Sequence, residues 1–139
     1  MKLSHIKNYE KAVSQLKKAV QAPPKNDLER DGVIQRFEFC YELAWKSLSD
    51  VIAEEGGSAA SPRVAFRTAG QMNLIENVEL WMELTDDRNI ITHTYDLNTA
   101  QKLIATIYKT YAPLLIDLSK NLSIYAKKYS PKNDWNQVA

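Results

Sequence analysis

Apolar residues recur every three or four positions along most of this chain, and no segment shows the alternation of a half-buried strand. Ile6, Tyr9, Val13, Leu16 and Val20 form a single stripe, which predicts a first helix from about Ser4 to Ala22, stopped by Pro23-Pro24. Asn26 or Asp27 can cap a second helix reaching Glu55, where Gly56-Gly57 ends it. Val33, Phe37, Tyr41, Ala44, Leu48, Val51 and Ile52 line one of its faces, while Phe39 and Leu43 form a second strip pointing roughly the opposite way. Glu42 and Lys46 pair on the solvated side. A helix with two apolar strips must bury both, one in its own bundle and the other against a further helix or a partner chain.

Ser61-Pro62 marks the start of a short third helix that carries Val64, Ala65 and Phe66 and has Gly70 near its end, with Arg63 and Arg67 on one face. A fourth helix is expected from about Asn77 to about His93. The last begins near Asn98 and carries Leu103, Ile107, Leu114, Leu118, Leu122 and Tyr125 to Lys127-Lys128; Pro113 lies inside it and should bend it. The expected fold is all-α: an up-and-down antiparallel four-helix bundle with an extra short helix packed at one end. Residues 1–129 read as the bundle domain and 130–139 as a flexible C-terminal tail, whose isolated Trp135 can anchor it to a partner.

Composition narrows the function only a little. The chain has 139 residues, 45% hydrophobic and 25% charged, as in an ordinary globular domain. Cys40 is the single cysteine, which excludes an intramolecular disulfide and fits a reducing compartment. No stretch approaches the ~20 apolar residues of a membrane span, and Met1 to His5 lacks the apolar segment of a signal peptide. A cytoplasmic protein with no membrane association is expected. The net charge of +1 supplies no bulk attraction to nucleic acid, so any RNA or nucleotide contact needs a local patch.

The segment Asp86-Asp87-Arg88-Asn89-Ile90-Ile91-Thr92-His93-Thr94-Tyr95 changes that picture. At ~100° per residue, Val78, Leu84, Arg88, Ile91 and Tyr95 lie near Trp81, whereas Glu79, Glu83, Asp86 and Asp87 take the far side. Arg88 therefore points along the apolar stripe, where a guanidinium is costly unless paired or wet. Asn89 and His93 are i, i+4 partners on one flank. Two readings stand side by side. In one, Arg88 bridges to Glu38 or Glu42 of the second helix and His93 favours the helix dipole. In the other, the segment handles phosphate, His93 acting as general base or acid and Arg88 stabilising charge on phosphorus. No metal or other cofactor is expected, because His5 and His93 are the only histidines and no paired-ligand spacing is present. Arg63 and Arg67 are either an extension of a substrate-binding face or solvated surface. Tyr41 and Trp45 are either base-stacking residues or core, and Cys40 reads as a packed hydrophobe.

The block Arg88-Asn89-x-x-x-His93-Thr94-Tyr95 resembles the signature of the HEPN domain. Within that family, the run Arg36 to Lys46 and the segment Ser61-Pro62-Arg63 are similar to proteins encoded beside minimal nucleotidyltransferases, often labelled nucleotidyltransferase substrate-binding proteins. The likeness spans roughly residues 5 to 125. It implies a homodimer with the two signatures facing across a cleft, and a nucleotidyltransferase partner encoded nearby. It also implies metal-independent ribonuclease chemistry carried by Arg88, Asn89 and His93, in a toxin that the partner neutralises. Tyr95 would be the residue that accepts adenylate. The alternative implied by the same family is a noncatalytic subunit that presents nucleotide or substrate to the nucleotidyltransferase. A helical interaction module with a structural Arg and His is the third reading.

Overall fold

The structure is a computed structural model that describes residues 3–93 and 95–138, with side chains as far as Lys128. Six helices run in the order α1 (Ser4–Ala19), α2 (Asp27–Glu54), α3 (Pro62–Gln71), α4 (Val78–His93), α5 (Leu97–Thr106) and α6 (Ala112–Val138), and a π turn (Ile107–Tyr111) joins the last two into one long rod. Among the described residues there is no strand. The fold is the expected all-α bundle, with α1, α2, α4 and the α5–α6 rod as its long members.

Local chemistry explains most boundaries. Asn26 caps α2 by accepting from Glu29 N–H at 2.9 Å, which satisfies an orphan donor of the first turn, and the Glu29 carboxylate accepts from the N–H of Lys25, just before the cap, at 2.8 Å. At the far end Gly56 adopts φ 93°, Gly57 N–H reaches Ile52 O at 2.9 Å and Gly56 N–H reaches Ala53 O at 3.1 Å. That is a Schellman closure, and it needs the residue without a Cβ. Helix α1 stops at Ala19, short of the expected Ala22. The hydroxyl of Tyr108 takes the Ala22 carbonyl at 2.8 Å, and the residue before Pro23 is biased away from helix. Ser61 precedes α3 with extended backbone but makes no side-chain cap, so Pro62 carries the start signal. Asp96 caps α5 by accepting from Thr99 N–H at 2.8 Å.

The rod departs from sequence expectation in its register. The i→i+5 bond from Ala112 N–H to Ile107 O places one extra residue in the turn just before Pro113, whose ring cannot fit a regular helix without relief. The apolar stripe shifts with it: Leu115 is fully buried and Leu114 only half-buried, where an unbroken helix would favour Leu114. Tyr9 fixes this register by donating its buried hydroxyl to Leu115 O at 2.6 Å. The backbone of α6 continues to Val138, past the expected end at Lys127-Lys128. The side chains of the tail expected over 130–139, Trp135 included, lie outside the described residues.

The core forms where α1, α2 and α6 meet, around Ile6, Tyr9, Leu16, Phe37, Leu48, Ile52, Ile107 and Leu115. Helix α3 does not sit apart as an end piece. Its Phe66 lies between Tyr41 of α2, at 6.0 Å between ring centroids, and Trp81 of α4, at 4.9 Å, so it wedges α4 against the rest of the bundle. The turn from α3 to α4 allows no extra atom at Gly70, where a Cβ would stand 2.2 Å from Val78 Cγ2. Gly70→Ala should therefore lower stability by about 1–3 kcal/mol, the usual cost of overpacking. Thermal denaturation should show Val78→Ala restoring part of that loss in the double variant, and simple additivity of the two changes would contradict the contact.

Candidate functional site

Helix α4 carries the segment singled out above and buries Trp81, Leu84, Thr85 and Ile91. Three consecutive residues tie its C-terminal half to three different elements. Asp86 accepts from Arg63 Nη2 of α3 at 2.6 Å. Asp87 accepts from the hydroxyl of Tyr111, in the π turn, at 2.5 Å. Arg88 Nη2 donates to Glu42 Oε1 of α2 at 3.3 Å. Asp87 thus does not face solvent as the helical wheel implied. The added residue of the π turn presents the Tyr111 ring, stacked on Phe37, to α4. Burial and the Asp87 carboxylate both push the Tyr111 phenol far above its ordinary range, so it remains a donor.

Arg88 occupies a defined seat. Its guanidinium lies over the Tyr41 ring, 5.2 Å from the centroid, and Nη1 reaches Asn89 Oδ1 at 3.4 Å. Nε is buried without a partner among the described residues. The opposite oxygen of Glu42, Oε2, accepts from Trp45 Nε1 at 3.2 Å and lies 3.7 Å from Lys46 Nζ. The Arg88 side chain keeps 25% of its surface exposed. Of the two partners expected from the sequence, Glu42 is the one used. The structural reading of Arg88 is thus realised in its contact with Glu42.

His93 is the last residue of α4, exposed, and makes no hydrogen bond among the described residues. It stands five residues beyond Arg88, ~7.5 Å along the axis and ~140° around it, so the two side chains face different directions on one chain. Asn89 lies between them and half-buried. Tyr95, 52% exposed, donates its hydroxyl to Asp31 near the start of α2. The bond pushes the Tyr95 phenol up and holds the Asp31 carboxyl below its ordinary range.

The remaining expected residues are scattered. Arg63 is engaged by Asp86, and Arg67, one turn on, is exposed without an ion pair among the described residues. Cys40 is buried and its thiol is pushed up to about 12 by that burial, as befits packing and not nucleophilic chemistry. Among the described residues no group of three or more His, Cys, Asp or Glu is placed to hold a metal ion. Sequence reasoning missed Asp31 and Tyr111, whose carboxylate and hydroxyl meet the segment only through tertiary packing. It also missed Tyr41 as the face under the guanidinium. The i, i+4 spacing of Tyr41 and Trp45 around Glu42 was the available signal for that seat.

The site thus combines a seated arginine, an adjacent asparagine and an exposed histidine at a helix end on an all-helical bundle. The chain belongs to the family described as nucleotidyltransferase substrate binding protein like, whose model matches residues 4–124, within the HEPN proteins that the signature pointed to. It is 36% identical over 81 residues to a protein named probable ribonuclease HepT from Haemophilus influenzae, a match covering 55% of this chain and 56% of that protein's length. The crystal structure of a protein from Thermus thermophilus, 32% identical, superposes with a TM-score of 0.75 over 82% of this chain and 98% of the other. No helix among the described residues is long and apolar enough to cross a membrane.

The Tyr95–Asp31 bond has a pH signature. It is intact between the titrations of its partners, from above ~4 to below ~10. The stability it contributes is lost as pH falls through the depressed carboxyl value and as pH rises through the elevated phenol value. In Asp31→Asn the ionisation of Tyr95, followed by NMR of ring-labelled tyrosine, should fall back toward the ordinary value. An unchanged titration would show that the bond is not formed in solution.

Proposed function

We propose that this protein is a HEPN-type partner of a minimal nucleotidyltransferase and acts as a metal-independent ribonuclease that the partner neutralises. The observation that carries the reading is a seated, partly exposed Arg88 side chain and an exposed His93 in the C-terminal half of one helix. His93 removes the proton of a ribose 2′-hydroxyl. The 2′ oxygen attacks the adjacent phosphorus, the bond to the 5′ oxygen breaks, and that oxygen leaves as a hydroxyl with a proton from the medium. A 2′,3′-cyclic phosphate remains. Arg88 steadies the charge on the non-bridging oxygens, and Asn89 orients the phosphate or the imidazole.

The divergence of Arg88 and His93 on one chain supports a site completed by a second copy. So do the exposed apolar residues around them. Ile90, 51% exposed, shares the outward face of His93; Tyr95 and Leu97 follow it, and Phe39, 55% exposed, stands on the outer side of α2 where the second apolar strip was expected. Exposure of Tyr95 also suits the role of adenylate acceptor for the partner enzyme. The name of the Haemophilus relative favours the ribonuclease reading. The family description favours the alternative, a noncatalytic subunit that binds substrate for the nucleotidyltransferase, and the engagement of Arg88 by Glu42 is compatible with it.

Purified protein should cleave RNA in excess EDTA and leave cyclic phosphate ends, and His93→Ala should slow cleavage by about 100-fold or more. Cleavage that survives the substitution, or that requires a divalent metal, would defeat the assignment. Absence of cleavage together with stable nucleotidyltransferase binding would favour the alternative.

A further inference from the structure

We infer that Glu42 is the positioning residue for Arg88, and that Tyr41, Glu42 and Trp45 together form a guanidinium seat on α2. The inference rests on the ribonuclease reading for its kinetic consequence, but the seat itself is a property of the folded chain. Arg88 comes from α4, and α4 packs mainly on α3 and α5, so its own helix does little to fix the long side chain relative to α2. The fixing contacts come from one turn of α2. The Tyr41 ring supports the face of the cation at 5.2 Å, and Glu42 Oε1 holds Nη2 at 3.3 Å. Glu42 is itself held, because Oε2 accepts from Trp45 Nε1 at 3.2 Å with Lys46 Nζ at 3.7 Å. The carboxylate is therefore a bridge with donors on both sides. Glu42 uses one Nη2 hydrogen and Asn89 one Nη1 hydrogen, which leaves one hydrogen on each Nη for phosphate oxygens on a side chain that is only partly buried.

A bridge of this kind can be broken without changing its shape. Glutamine is isosteric with glutamate but has one acceptor, so in Glu42→Gln either Trp45 or Arg88 faces an amide N–H instead of an oxygen. Mere filling of space would tolerate that exchange, whereas positioning of Arg88 would not. Glu42→Gln should melt close to the native protein yet lose about tenfold or more in kcat for RNA cleavage, with a smaller change in KM, since an interaction made in the transition state is what suffers.

The seat is read directly by chemical rescue. Methylguanidinium titrated into Arg88→Ala should shift the Trp45 indole N–H resonance saturably and restore cleavage in parallel. In the double variant Glu42→Gln/Arg88→Ala the same titration should require about tenfold more of the cation or more, because the charged half of the seat is gone. Equal affinity in the two variants, or no response of Trp45 in Arg88→Ala, overturns the inference. So does native kcat in Glu42→Gln. The resonance shift needs no cleavage, so a chain that cuts no RNA refutes the ribonuclease reading while the titration still decides the seat.

Discussion

The contact between Glu42 and Arg88 permits a cation to sit on the apolar stripe of a core helix. A half-buried guanidinium with no polar partner at all would have to reach for water. With the pair in place, the same stripe buries Trp81, Leu84 and Ile91 and still presents a charge at its edge. The Tyr41 ring that supports the cation also packs on Phe66, which stacks on Trp81. The aromatic wedge and the candidate site are therefore one connected object. A single ring separates Phe66 from Arg88.

Charge balance around the segment follows from the same contacts. Two acids directly precede Arg88 and would depress any local attraction for an anion if left free. Arg63 neutralises the first, and the second is occupied by the Tyr111 hydroxyl. Both interactions clamp α4 as well.

Much of this was legible before any coordinates. The Asn26 cap, the Gly56-Gly57 stop, the Pro62 start and the buried stripes of α1 and α2 follow from side-chain chemistry within a few residues, and the structure realises them. The outward Phe39 follows from counting turns. The signature also pointed to Arg88, Asn89 and His93 without any coordinates. What sequence could not supply depends on neighbours distant along the chain. Glu38 and Glu42 lie one turn apart on the same side of α2, and only the depth at which α4 docks selects between them. The partners of Asp87 and Tyr95 come from 24 and 64 residues away. The exchange of Leu114 for Leu115 in the core arises because Pro113 is relieved by an inserted residue and not by a bend alone, and proline by itself does not announce which remedy a helix will adopt.

That inserted residue makes the long rod a two-phase object. Everything after it is turned by ~100° relative to an uninterrupted helix. The grip of Tyr9 on Leu115 and the grip of Tyr111 on Asp87 therefore belong to different angular frames that agree only while the extra residue is present. A single-residue deletion between Ile107 and Ala112 would barely shorten the rod. It would act as a gear slip, pitting the attachment of α6 to the core against the attachment of α5 to the segment that carries Arg88.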